Sequence, residues 1–172
     1  HRIQQRYGSP SSTRFSKEPE IVKGPIPGRL RELDAIPSPY LNGMLEHFFD
    51  GTLTPFIETN RGCPFRCTFC HTGDDYFQKI NMFSIERVRE EIEYIAPRAS
   101  TLGIVNLHIA DTNFGMFPRD RDICLALREA HDQHGWPLQI VATTGKNNKD
   151  RVIEITSIMG KMFSINMSVQ SM

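Results

Sequence analysis

The 172-residue chain has no surplus of either charge: 20 Lys and Arg balance 20 Asp and Glu, a formal net charge of +0. Such a balance offers no general electrostatic pull toward nucleic acid or an anionic membrane, so neither is indicated as a partner. Long apolar runs are missing too, which argues against a helix that crosses a membrane, where about 20 apolar residues are needed. The start, His1-Arg2-Ile3-Gln4-Gln5-Arg6, lacks an initiator Met and the apolar stretch of a signal peptide. A chain that opens this way and stops at Ser168-Val169-Gln170-Ser171-Met172 reads as a piece of a longer protein. No glycine fingerprint follows the first predicted strand, which disfavours a dinucleotide-binding wrap. Cysteine is scarce at four, and clustered rather than spread as a disulfide framework would spread it. The expected setting is a reducing compartment, the cytoplasm.

Three of the four cysteines stand within Cys63-Pro64-Phe65-Arg66-Cys67-Thr68-Phe69-Cys70, spaced Cys-x3-Cys-x2-Cys. Three is odd, and any bridge among them would close a very tight loop, so a disulfide set is a poor match. A structural zinc site takes four protein ligands, and no second cysteine pair follows downstream. His71 is adjacent to Cys70, and neighbouring side chains rarely reach the same ion. An iron–sulfur cluster, held by cysteine thiolates, is the better match. With three thiolates a cubane would keep one iron open to bind and activate a ligand. Arg61 just before the triplet and Arg66 within it could offset thiolate charge.

Residues 1–32 carry Pro10, Pro19, Pro25 and Pro27 with Gly8, Gly24 and Gly28, the composition of a linker or a collar laid on a domain. The domain itself is expected over 33–172. Leu41 to Phe49 has the spacing of a short helix stopped by Gly51. From Pro55 strands and helices alternate. A first strand, Phe56-Ile57-Glu58-Thr59, feeds the cysteine loop. Ser84 caps a helix with Ile85, Val88, Ile92 and Ile95 at helical spacing, limited by Pro97. Ile104 to Ala110 follows as a strand, Arg119 to His134 as a helix ended by Gly135, and Leu138 to Thr143 as a third strand. Asp150 to Met159 forms the next helix, and Phe163 to Val169 alternates as a fourth strand. This pattern argues for βαβ units, an α/β fold with a parallel sheet. Spacing leaves open whether it curls into a barrel or lies as an open doubly wound sheet. In both, ligands bind at the carboxyl ends of strands, which here carry the cysteines, Asp111-Thr112-Asn113-Phe114-Gly115, Thr143-Thr144-Gly145-Lys146-Asn147, and Ser168 with Gln170.

The cysteine motif resembles the signature of the radical S-adenosylmethionine (SAM) enzymes. The flanking Leu33-Asp34-Ala35-Ile36-Pro37-Ser38-Pro39-Tyr40-Leu41 and Thr54-Pro55-Phe56-Ile57-Glu58-Thr59-Asn60-Arg61-Gly62 resemble the subgroup that carries a cobalamin-binding domain. The resemblance covers residue 33 to the end. It implies a partial (β/α)6 barrel of about four parallel strands, truncated at its C-terminal side. It also implies that Cys63, Cys67 and Cys70 hold a 4Fe–4S cluster whose fourth iron takes SAM. Reductive cleavage to a 5′-deoxyadenosyl radical for hydrogen abstraction follows. Cobalamin and methyl transfer are further implications of the subgroup, through a domain absent from this chain. Phe69 occupies the aromatic position near the SAM adenine. Asp111 and Asn113 stand where many members place a Gly-Gly-Glu-type motif for the SAM amino group, here altered. Ser168 and Gln170 match the ribose-contacting strand. Lys146 is a candidate for the SAM carboxylate, and Glu58 sits beside the cluster loop.

The implied partners are a small-molecule substrate and a reducing electron donor. Two rival readings stay open: a non-catalytic iron–sulfur or zinc module, and a tRNA-modifying enzyme of the same family. Other residues read as structure: Cys124 in an apolar helix stripe, His108 as a core histidine, and His131 and His134 near a helix end.

Overall fold

The computed structural model describes residues 24–25, 27–145 and 148–164. In chain order its strands and helices are β1 (Phe56–Ile57), β2 (Asn60–Arg61), β3 (Asn81–Met82), α1 (Ile85–Thr101), β4 (Asn106–Phe114), α2 (Asp120–His134), β5 (Gln139–Thr144) and α3 (Lys149–Met159).

β1, β4 and β5 lie side by side in that order, all parallel, with Phe56 opposite His108 and His108 opposite Val141. Phe163 continues the series through a parallel bridge to Ile140; residues 165–169 of the expected fourth strand lie outside the described residues. A doubly wound sheet reverses its strand order at a switch point. Here the order follows the chain without reversal, and α1 packs on α2 and α2 on α3. This order, with the helices packed on one face, matches the opening units of a (β/α)6 barrel.

One face of the sheet is dry. Ile57, Leu107, Ile109, Ile140 and Ala142 meet Val88, Ile92 and Ile95 of α1, Ile123 and Leu127 of α2, and Ile155 and Met159 of α3 in one core. Residues two apart on a strand share a face, so Glu58, His108 and Ala110 point the other way, into the barrel. His108 is therefore exposed there rather than a core histidine. The outer edge of β1 is closed by Tyr40, whose hydroxyl donates to Phe56 O at 2.8 Å and accepts from Phe56 N at 3.1 Å.

Three expectations are corrected. Pro97 lies inside α1 and does not end it. The backbone bond that proline forfeits is offset by the burial of Ile95, Ala96 and Ala99 around it. The 41–49 segment is a chain of turns with one 3-10 turn at Glu46–Phe48, because Gly43 sits at φ +76°, a left-handed conformation that stops a helix. β4 runs on to Phe114, so Asp111, Thr112 and Asn113 belong to a strand, with irregular register between Ile109 and Phe114.

Candidate metal centre

The segment that carries the cysteines leaves the carboxyl end of β1 and returns to α1. β2 and β3 pair antiparallel across its base, Asn60 with Met82 and Arg61 with Asn81. Gly62 makes the turn into the motif at φ +124°; a Cβ there would lie 2.7 Å from Phe77 O and 2.6 Å from Lys79 O, so only glycine fits. Cys63 N then donates to Phe77 O at 2.9 Å, and Cys70 N to Cys67 O at 3.1 Å. Gly73 packs so closely that a Cβ would lie 2.2 Å from Cys67 O. Arg29 staples the segment from outside: its guanidinium donates to the carbonyl oxygens of Arg61 at 2.9 Å and Tyr76 at 3.1 Å, and also to that of Lys79. Cys63 is buried, Cys67 half-buried and Cys70 exposed.

The end of β4 holds this segment from below. The Asp111 carboxylate accepts from Thr59 N at 2.7 Å, Asn60 N at 3.3 Å and Asn60 Nδ2 at 2.6 Å, and from the Thr59 hydroxyl. Those four bonds use its acceptor capacity. Burial pushes its pKa up to about 6 despite them. Thr112 Oγ1 donates to Gly62 O at 2.9 Å, and Asn113 Nδ2 lies 3.3 Å from Cys63 Sγ. Three successive residues of β4 thus grip three successive stretches of the approach to the motif. Further on, buried Asp120 accepts from Gly115 N at 2.8 Å and Phe117 N at 2.9 Å and shapes the turn after β4; burial raises its pKa.

All four cysteines are thiols, with no disulfide among them. Among the described residues no group of three or more His, Cys, Asp or Glu converges as ligands of one ion. A structural zinc needs such convergence. A cubane takes each thiolate on a separate iron, and three cysteine thiols on one loop, one sulfur under an amide N–H, are the donor chemistry such a cluster uses. Two hollows flank the motif. One of about 440 Å³ is lined by Arg66, Cys67, Thr68, Cys70 and His71. The other, about 450 Å³, lies toward the barrel interior between Glu58, Asn60, Gly62, Ala110 and Thr112 and the arm Gly28–Leu30.

The remaining expected site residues are distributed as follows. Phe69 is 70% exposed and packs in no core. Asp111 and Asn113 are buried against the loop, whereas Thr112 lines the interior hollow. Arg61 is paired with Glu58 at 2.7 Å, and Arg66 with Asp75 at 3.3 Å, so each answers a carboxylate rather than the thiols. Lys146, Ser168 and Gln170 lie outside the described residues. Cys124 is buried in α2, where burial pushes its thiol up, as befits a structural residue. His131 Nδ1 lies 2.9 Å from Pro137 O, also a structural contact. Arg29, Thr59 and Asn60 were not expected at the site. They act on groups 32 to 52 residues away, and no local pattern announces such pairs.

Comparison with known proteins agrees with this geometry. The sequence model of the Radical SAM superfamily matches residues 57–172. Over 147 residues the chain is 38% identical to the cobalamin-dependent radical SAM methyltransferase TokK of Streptomyces tokunonensis, covering 80% of this chain and 20% of that protein. It is 37% identical over 143 residues to the 2-(S-pantetheinyl)-carbapenam-3-carboxylate methyltransferase of Streptantibioticus cattleyicolor, again covering 80% of this chain and 20% of the relative. The chain thus spans about a fifth of the length of these curated relatives. In fold it resembles the cobalamin-dependent S-adenosylmethionine radical enzyme OxsB, with TM-score 0.54 and 16% identity over 83% of this chain and 22% of that one. With its cysteine triplet at the carboxyl end of the first strand of a sequentially ordered parallel sheet, the chain belongs to the radical SAM superfamily of enzymes.

Proposed function

We propose that this chain is the first part of a catalytic domain in which Cys63, Cys67 and Cys70 hold a 4Fe–4S cluster and SAM binds the iron left without a thiolate. The observation that carries the reading is the placement of the triplet, three thiols on one loop at the ligand-binding end of the sheet. When bound, the cluster and SAM supply a 5′-deoxyadenosyl radical that abstracts hydrogen from an unactivated carbon, chemistry no side chain performs alone.

The chain's own residues position and shield. The interior hollow of about 450 Å³ is the place assigned to SAM, with the Thr112 hydroxyl and the Glu58 carboxylate on its wall as acceptors for an ammonium. Asp111 acts through Thr59 and Asn60, keeping the loop in place. Asn113 lies against Cys63. Phe69, Ser168 and Gln170 are assigned to adenine and ribose by their family positions. Likeness to cobalamin-dependent methyltransferases supports methyl transfer to a small molecule as the outcome, with cobalamin bound by residues other than these. An external low-potential donor supplies the electron, and a cytoplasmic setting keeps the thiols reduced. Among the described residues no helix is long and apolar enough to cross a membrane.

The test is anaerobic reconstitution followed by iron and sulfide analysis and electron paramagnetic resonance of the reduced protein with and without SAM. About four irons and four sulfides per chain, with a spectrum altered by SAM, are expected. A folded, loaded protein whose spectrum ignores SAM would leave only an electron-transfer or structural module.

A further inference from the structure

We infer that Asn113 sets the reduction potential of the cluster through its amide N–H on Cys63. Asn113 is 4% exposed, and its Nδ2 lies 3.3 Å from Cys63 Sγ and 3.2 Å from Thr112 Oγ1. Thr112 Oγ1 in turn donates to Gly62 O at 2.9 Å, so the amide's orientation is held by a neighbour that is itself anchored on the residue before Cys63. Neither a bulky neighbour nor a charge produces this contact; it is one directed donor on one sulfur. Cys63 is also the most buried of the three motif cysteines. A hydrogen bond to its sulfur is therefore screened least by water, where such bonds act most strongly. The inference rests on the cluster reading above and goes beyond it by assigning a part to a residue that binds neither iron nor SAM.

The physical effect has a definite sign. One-electron reduction, by dithionite in a titration and by an external donor otherwise, adds negative charge that spreads onto the cluster and its thiolate ligands. No bond is made or broken. An N–H aimed at one of those sulfurs stabilises the added charge and so favours the reduced form. Hydrogen bonds to cluster sulfurs are among the levers that set such potentials. Asn113 is thus a positioning and tuning residue, with its donor supplied by the last residues of β4 rather than by the cysteine loop.

The experiment is a potentiometric titration of the reconstituted protein followed by electron paramagnetic resonance, comparing wild type with Asn113→Leu and Asn113→Asp. Both variants keep all three cysteines, so iron per chain is expected to stay at the wild-type value. At the wild-type midpoint potential the reduced-to-oxidised ratio in Asn113→Leu should fall about tenfold, which for a one-electron couple is a shift of ~59 mV to lower potential. Asn113→Asp, which puts an acceptor where the donor was, should fall at least as far. An unchanged midpoint in a fully loaded variant would overturn the inference. If neither variant loads, wild-type protein labelled with ¹⁵N in its asparagine side chains decides instead. A weak nitrogen hyperfine coupling in the reduced cluster supports the contact, and its absence refutes it. Wild-type protein that takes up no iron would defeat the underlying cluster reading and not this one alone.

Discussion

Leu107, Ile109, Ile140 and Ala142 on the helix-backed face of the sheet are each less than 5% exposed, while not one residue from 64 to 80 is buried. The two regions sit within a few residues of each other in the chain and are ordered by different forces. The sheet and its helices bury apolar surface, each large side chain contributing roughly 1.5–3 kcal/mol. The cysteine segment has little to bury. It is held by a glycine turn against two carbonyls, by the Arg29 staple and by the polar ends of β4. A hydrophobic loop would collapse onto its own thiols; a loop held at its margins leaves them presented to a cofactor. The barrel start supplies stability, and the segment presents chemistry.

Removing one ligand tests that division most severely. Cys63→Ala should lose essentially all bound cluster, since two thiolates cannot hold what three hold, while its apo form melts no more than about 2–4 °C below wild type by circular dichroism, the shift of roughly 1 kcal/mol. A large drop in melting temperature would show that the segment contributes to the core after all. The converse variant is Leu107→Ala, at a fully buried position. It should cost about 2–5 kcal/mol in denaturant unfolding, with all three cysteines untouched.

Asp111 joins the two regions, and its titration is the next largest effect. Its folded pKa of about 6 lies above the ordinary 3.8. An acid with a raised folded pKa holds its proton more tightly in the native state, so stability falls as pH rises from about 4 to about 6 and is level above that. The drop amounts to roughly 3 kcal/mol from two pKa units at 1.36 kcal/mol each. Asp111→Asn should flatten this dependence in pH-resolved urea titrations; an unchanged slope would assign it to other groups. The smallest effect is expected of Gly62→Ala. Strain at φ +124° and the two close carbonyls should cost about 1–3 kcal/mol, felt as a lower cluster yield on reconstitution with little change in the helical signal.

What could be read from the residues alone follows the same boundary. α2 was legible nearly to the residue because Ile123, Leu127 and Ala130 recur at helical spacing and Gly135 stops the helix at φ +68°. The triplet was legible because its spacing is local. The end of β4 was not: Asp, Thr and Asn favour turns, and only the distant Thr59, Asn60 and Cys63 make a strand end of them. Pro97 misled for a related reason, since local stereochemistry opposed a helix that tertiary burial sustains. Asp111 and Asn113 were picked out as polar residues near SAM; the fold turns both toward the cysteine loop and leaves Thr112 on the cavity wall.

Held by Cys63, Cys67 and Cys70 as proposed, a cubane keeps one iron for SAM. Mössbauer spectroscopy of ⁵⁷Fe-reconstituted protein tests it most directly. SAM should shift the signal of one iron in four and leave the other three in place. Four irons that stay equivalent in the presence of SAM would contradict it.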